Sequence, residues 1–89
     1  MKRPYLEVTF RKGRPVAAYL YLPRPTGARS ARTTELRPGV LVDYAADGAP
    51  IGIELTDPAH AEVSVINLVL REVGAPPVDV ADLAPLQAA

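Results

Sequence analysis

The chain has 89 residues, no cysteine, and ten basic against ten acidic side chains, so its formal net charge is zero. This length predicts a single domain over residues 1–89 with a core of marginal size, and the lack of cysteine excludes a disulfide framework, a thiolate nucleophile and a cysteine-based metal site. No apolar run approaches the roughly 20 residues of a membrane span, and the N-terminus has no signal-like apolar segment. We therefore expect a cytoplasmic protein without a membrane partner.

The charges are unevenly distributed along the chain. Residues 1–44 contain nine Lys or Arg against three acids, whereas residues 45–89 contain one base against seven acids. The two halves therefore carry charges of about +6 and −6. Three interpretations stay open: mixed charges on one solvated surface, an anion-binding face, or complementary contacts between subunits.

The first predicted element is a β-hairpin that begins at Tyr5. Apolar side chains alternate along it, and a three-residue loop, Arg11-Lys12-Gly13, with Gly13 in the left-handed region, places Val8 opposite Val16. The predicted aliphatic face comprises Leu6, Val8, Phe10, Val16, Ala18, Leu20 and Leu22. The opposite face then holds Tyr5, Tyr19 and Tyr21, either as half-exposed amphipathic rings or as a surface for a partner. Base stacking is a weaker alternative, because no RNA-binding aromatic motif accompanies the tyrosines.

A loop follows, because two prolines between residues 23 and 25 stop the second strand. Its arginines, Arg24, Arg29 and Arg32, are the densest basic feature, and they indicate either a solvated loop or an arm that contacts phosphates. A short strand is predicted over residues 32–36, and Arg37-Pro38-Gly39 then turns the chain.

Residues 40–57 predict a second hairpin. Val40, Val42 and Tyr44 alternate with smaller or polar neighbours, Asp47-Gly48 supplies a turn, and the alternation resumes at Ile51. A two-residue type I′ turn would place Val42 opposite Ile53 and Tyr44 opposite Ile51.

The residues Asp43-Tyr44, Asp47-Gly48 and Gly52-Ile53-Glu54, spaced as DYxxDGxxxGIE, resemble the signature of a family of small prokaryotic proteins, the domain of unknown function 2283. The similarity runs from about Tyr5 to Thr56, although in its first half only residues 17–22 fit the family pattern. The resemblance brings no established activity. It suggests a companion of a small toxin, that is, an antitoxin-like role.

A helix is predicted over residues 58–73, with Asp57 as its cap, Pro58 in its first turn and Gly74 after its end. The apolar stripe is wide, so that a single sheet face would not cover it and a second surface is expected to help. A strand over residues 62–70 is the competing assignment, because several of these residues are β-branched. In the tail, residues 74–89, the apolar side chains of Val78, Leu83 and Leu86 are expected to pack onto the body.

The sequence offers little catalytic chemistry. It has no phosphate-binding glycine loop, no nucleophile elbow and no zinc-binding helix motif, and its one histidine, His60, has no convergent partners that would suggest catalysis or a metal site. Asp43 and Glu54 lie on neighbouring strands, where two carboxylates can act as an acid and base pair, pair with arginine, face solvent, or take part in a subunit contact. No cofactor is predicted.

Together these features predict an α+β fold, in which a four- to five-stranded antiparallel meander over residues 5–55 packs one face against the helix. The leading function is a non-enzymatic, homodimeric protein-interaction module. Its predicted interface comprises Tyr19, Tyr21, Leu41, Val65, Leu68 and Val69. One alternative is nucleic-acid binding by the basic half, which the neutral net charge disfavours; the other is a small hydrolase or ligand-binding protein that uses Asp43 and Glu54.

Overall fold

The computed structural model describes residues 4–24 and 27–83. Five strands form one antiparallel sheet: β1 (Tyr5–Arg11), β2 (Arg14–Tyr21), β3 (Arg32–Arg37), β4 (Val40–Tyr44) and β5 (Pro50–Leu55). An α-helix, α1 (Val63–Glu72), follows, with 3-10 turns at Pro58–His60 and Val80–Leu83. The predicted α+β class is confirmed, and the competing strand assignment for residues 62–70 is wrong.

The strand order is β1-β2-β5-β4-β3, which differs from the predicted meander. β1 and β2 are neighbours, and so are β3, β4 and β5 in turn, but the chain passes from β2 to β3 at the far edge of the sheet, so that β2 pairs with β5. Strands β2 to β5 therefore form a Greek key, and β1 extends it as a hairpin. The reason lies in burial: β5 is the most buried strand and occupies the centre, whereas the polar β3, which a meander would place in the middle, lies at an edge.

The turn of the first hairpin also differs from the prediction. Lys12 and Gly13 both have positive φ values, 52° and 77°, and form a two-residue turn between Arg11 and Arg14. A bulge at Val16 then adds one residue, so that Val8 pairs with Ala18 instead of Val16. Because the bulge compensates for the shorter turn, the predicted separation of the aliphatic and tyrosine faces is preserved.

The covered face of the sheet and α1 together form the core. Leu20, Val42 and Ile53 are fully buried on the sheet, and Ile66 and Leu70 pack on them from the helix. Burial decreases toward the turn of the first hairpin, where Phe10 is 50% exposed and Val16 is 43% exposed. These two residues, predicted as part of the apolar face, therefore project beyond the helix.

The second hairpin also has a bulge. Val42 pairs with Ile53 as predicted, but Tyr44 pairs with Pro50 instead of Ile51. The Gly48 amide donates to the carbonyl of Ala45, and only Gly48 has a positive φ, of 90°, so the loop is a three-residue turn and not type I′. The Asp47 carboxylate accepts a hydrogen bond of 2.9 Å from the Ala49 amide and fixes the loop.

The helix begins five residues later than predicted. Pro58 starts only a 3-10 turn, Asp57 makes no side-chain cap to it, and the chain is extended at Ala61 and Glu62 before α1 begins. The end agrees with the prediction: Gly74 has a φ of 77°, and the Ala75 amide donates to the carbonyl of Leu70, as in a Schellman motif.

The tail packs under the helix. Val78 and Leu83 are buried, as predicted, and Leu86 lies outside the described residues. The side chain of Asn67 holds the tail by two hydrogen bonds: its Oδ1 accepts from the Val78 amide at 2.9 Å and its Nδ2 donates to the Val78 carbonyl at 3.2 Å. No local pattern in the sequence predicts this contact.

Replacement of Gly48 by valine should lower the free energy of unfolding by more than ~1 kcal/mol, because a β-branched residue is strained at positive φ. No atom lies within 4 Å of a Cβ built on Gly48, so the cost would come from the backbone alone. Urea denaturation measures it, with Gly48→Asn as the control, since asparagine tolerates this conformation. Equal midpoints for the valine and asparagine variants would contradict the turn assignment.

Candidate functional site: the outer face of the sheet

The sheet face turned away from α1 is the most distinctive surface of the described chain, and we call it the outer face. Two rows of residues, aligned by strand pairing, cross it from β1 to β3. The first row comprises Glu7, Tyr19, Glu54, Leu41 and Glu35. The second row comprises Tyr5, Tyr21, Gly52, Asp43 and Thr33. No described element forms a layer over them.

The ring of Tyr19 lies across the central strand. A Cβ built on Gly52 would lie 2.0 Å from the Tyr19 hydroxyl oxygen and 2.3 Å from its Cζ, so only glycine leaves room for the ring. Because Tyr19 on β2 thus reaches over β5, its hydroxyl donates a 2.7 Å hydrogen bond to Asp43 Oδ2 on β4. Three strands are held together by this one contact.

The second carboxylate oxygen of Asp43 is also engaged, because it accepts a hydrogen bond from the hydroxyl of Thr33 on β3. Burial raises the pKa of Tyr19, and the hydrogen bond and negative charge of Asp43 raise it further. The phenol therefore stays protonated at neutral pH and acts as a hydrogen-bond donor.

The three tyrosines pack as a cluster. Tyr5 stacks on Tyr21 with ring centroids 4.6 Å apart, and Tyr19 meets Tyr21 edge-on at 4.7 Å. The hydroxyl of Tyr21 donates to Glu7 Oε1 at 3.3 Å. The pKa of Tyr21 is raised mainly by burial and, to a smaller extent, by the negative charge of Glu7.

A guanidinium already lies on this cluster. Arg24 Cζ lies 4.9 Å from the ring centroid of Tyr21, and Arg24 Nη1 donates a 3.1 Å hydrogen bond to the carbonyl of Ile51. Arg24 thus covers the end of the face where the second strand leaves the sheet.

The three arginines predicted to contact anions do not converge. Arg24 lies on the outer face, whereas Arg32 lies over the ring of Tyr44, 4.4 Å from its centroid, on the side of the sheet that packs against the core. Arg29 is exposed in the loop between them. Their separation on two faces does not build one phosphate-binding surface.

Asp43 and Glu54 also lie in different rows. Asp43 is opposite Gly52 and has both oxygens hydrogen-bonded, whereas Glu54 is opposite Leu41 and is exposed. The residues of the DYxxDGxxxGIE pattern therefore have structural roles here: Asp43 and Gly52 seat the Tyr19 ring, and Asp47 and Gly48 form the hairpin turn.

The predicted interface is split between two sides of the molecule. Tyr19, Tyr21 and Leu41 lie on the outer face, whereas Leu68 is 51% exposed on α1 beside a groove of about 500 Å³. Val69 is fully buried against the sheet and is not accessible to a partner, which corrects its assignment to the interface.

A second groove, of about 410 Å³, lies between the helix and the end of the sheet, and Arg37, His60 and Val65 line it. At its rim His60 Nδ1 lies 3.0 Å from both carboxylate oxygens of Asp57. In the described ranges, 4–24 and 27–83, no group of three or more His, Asp or Glu side chains could hold a metal ion.

Comparison with known families places residues 17–57 in the family described as "Protein of unknown function (DUF2283)". This match covers just under half of the chain and supports membership of that family. The DUF2283 match begins at Ala17, so it omits β1, to which the resemblance was expected to extend, and it includes the second part of β2 and all of β3, β4 and β5. No curated protein and no solved structure matches the chain. No helix of the described residues is long and apolar enough to cross a membrane.

Sequence reasoning could not find the cluster of Tyr19, Gly52 and Asp43. The DUF2283 pattern contains Asp43 and Gly52 and brings them together in one hairpin, but Tyr19 joins them only because β2 pairs with β5. A meander would have separated β2 from β5 by two strands.

Gly52→Ala should destabilise the protein by ~1–3 kcal/mol, because the added methyl group displaces the Tyr19 ring and breaks its hydrogen bond with Asp43. The same change in a Tyr19→Ala background should cost much less, and a double-mutant cycle by urea denaturation measures the difference. The pKa of Tyr19, followed by ultraviolet titration, should fall toward its ordinary value in Gly52→Ala. Additive effects of the two substitutions would contradict the contact.

The pKa of His60 should lie above its ordinary value of 6.5, because Asp57 hydrogen-bonds the protonated ring. The contact between His60 and Asp57 contributes fully to stability below pH 6.5, and this contribution is lost as the pH rises through the raised pKa of His60 in the folded state. Proton NMR titration of the ring measures this pKa, and Asp57→Asn should return it toward 6.5. A pKa that does not move in that variant would exclude the pairing.

Proposed function

We propose that the protein is a non-enzymatic protein-interaction module whose contact surface is the outer face. The observation that carries this proposal is the uneven covering of the sheet: α1 and the tail pack on one face, while the other presents three clustered tyrosines and Leu41. Tyrosine is enriched where binding energy is concentrated in protein interfaces.

The tyrosines are also held in place before any partner binds. Stacking, the edge-on contact and the hydrogen bonds to Asp43 and Glu7 restrict their rotamers. Ordering of side chains costs about 0.5–1.5 kcal/mol each on association, so a face that is already ordered loses less entropy when it binds. This favours a binding role over a merely solvated surface.

We further infer a homodimer, formed through the exposed side of α1. Leu68 protrudes beside a groove lined in part by Ser64, Asn67, Ala75 and Pro77. Arg71 and Gly74 also line this groove, whose surface is mostly apolar. A protruding leucine next to an apolar groove is self-complementary, because a twofold axis can seat each leucine in the groove of its partner. The outer face stays free for another protein in such a dimer.

An antitoxin-like role, suggested by the family resemblance, would use the outer face to hold a companion protein. Nucleic-acid binding gains no support from the arginines, because Arg24 and Arg32 lie on opposite faces of the sheet and each covers a tyrosine ring. A hydrolase that uses Asp43 would first have to free its carboxylate from Tyr19 and Thr33.

Light scattering at micromolar concentration should report about twice the 9.5 kDa chain mass for the native protein. Leu68→Asp should yield a folded monomer, since Leu68 is half exposed within one chain, and its denaturation midpoint should lose the contribution of dimerisation and its dependence on protein concentration. Val16→Asp is the matched control, because Val16 is a similarly exposed apolar residue on the first hairpin, and it should remain dimeric. A native monomer, or a dimer unaffected by Leu68→Asp, would refute this mode of association.

A further inference from the structure

We propose that the outer face binds a basic, arginine-rich segment of a partner protein, an inference that rests on the interaction role proposed above. The face combines exposed carboxylates with ordered tyrosine rings. Arginine is the side chain that satisfies both groups, because its guanidinium forms paired hydrogen bonds with carboxylates and stacks on aromatic faces.

The charge of the face points to a cationic partner. The two rows that cross its middle contain four carboxylates, those of Glu7, Glu35, Asp43 and Glu54, and no lysine or arginine. Arg24, over Tyr21 at one end of the face, offsets one of these four negative charges. Glu54 is exposed and has no hydrogen bond or ion pair with another described residue, so both of its oxygens are available.

The same charge argues against a second copy of the chain on this face. Face-to-face pairing about a twofold axis would bring four carboxylates of each copy toward the four of the other, and like charges across an interface are unfavourable. Nucleic acid is disfavoured for the same reason, because its phosphates would meet these carboxylates.

The chain itself contains an example of the proposed contact. Arg24 lies over the ring of Tyr21, with its Cζ 4.9 Å from the ring centroid. The ring of Tyr5, stacked on the Tyr21 ring, is 50% exposed and offers a further aromatic surface at the edge of the sheet. A partner arginine could stack on Tyr5 much as Arg24 lies over Tyr21.

The test uses fluorescence anisotropy with the full chain and short labelled peptides. A peptide of alternating arginine and serine should bind more tightly than one of lysine and serine, and a peptide of glutamate and serine should not bind. Binding of the arginine peptide should weaken as salt rises, because the exposed charges are screened.

Two matched pairs of variants locate the site. Glu54→Gln should weaken binding about threefold to fivefold, whereas Glu62→Gln, which removes an equal charge beside the helix, should leave it unchanged within about twofold. Tyr5→Ala should also weaken binding, whereas Phe10→Ala should not, because Phe10 is equally exposed on the same strand but faces the other way. Leu68→Asp should bind the peptide like the native chain.

The outcomes separate the two proposals. If the arginine peptide binds no better to the native chain than to Glu54→Gln, or if Glu62→Gln weakens it equally, the basic partner is wrong. If the serine-glutamate peptide binds and Tyr5→Ala abolishes that binding, the outer face is an interaction surface, but its partner is not basic. A monomeric native protein that still binds the arginine peptide would refute the dimer alone.

Discussion

The central position of β5 is the constraint on which the other features depend. This strand is buried along most of its length, and its backbone groups need hydrogen-bond partners on a strand at each side. β4 lies on one side through the hairpin, and β2, distant in the chain, lies on the other. The outer cluster follows from this arrangement, because Tyr19 and Asp43 face each other only across the Gly52 backbone.

Local sequence patterns predicted most of the strands and the helix, but not which strands pair with each other. Alternation along the chain predicted four of the strands, and the short strand at residues 32–36 was predicted before the turn at Arg37-Pro38-Gly39. The pairing of Val42 with Ile53 was correct because a hairpin is a local structure. The pairing of β2 with β5 joins residues more than thirty positions apart, and no local pattern encodes it. The low apolar content of β3, which suits an edge strand, was the available signal.

In the first hairpin the predicted turn was wrong but the predicted faces were correct, because two differences from the prediction cancel. The first hairpin has a two-residue turn that would have reversed its faces, and the bulge at Val16 reverses them again.

In the helix, Asp57 and Pro58 did signal a start, but only of a 3-10 turn, since Asp57 contacts His60 instead of capping the chain. The candidate site was only partly predictable, because the tyrosine face was recognised while the ring that crosses Gly52 was not.

The Greek key also has a consequence for how the chain folds. The first hairpin can form as soon as residues 5–21 are available, but β2 has no neighbour on its other side until β5 is present. Contacts between such distant segments require the closure of a long loop, which slows the rate-limiting step of folding. During synthesis, β2 would therefore remain an unpaired edge while the intervening thirty or so residues emerge, and the prolines and arginines that follow it would discourage premature pairing with other chains.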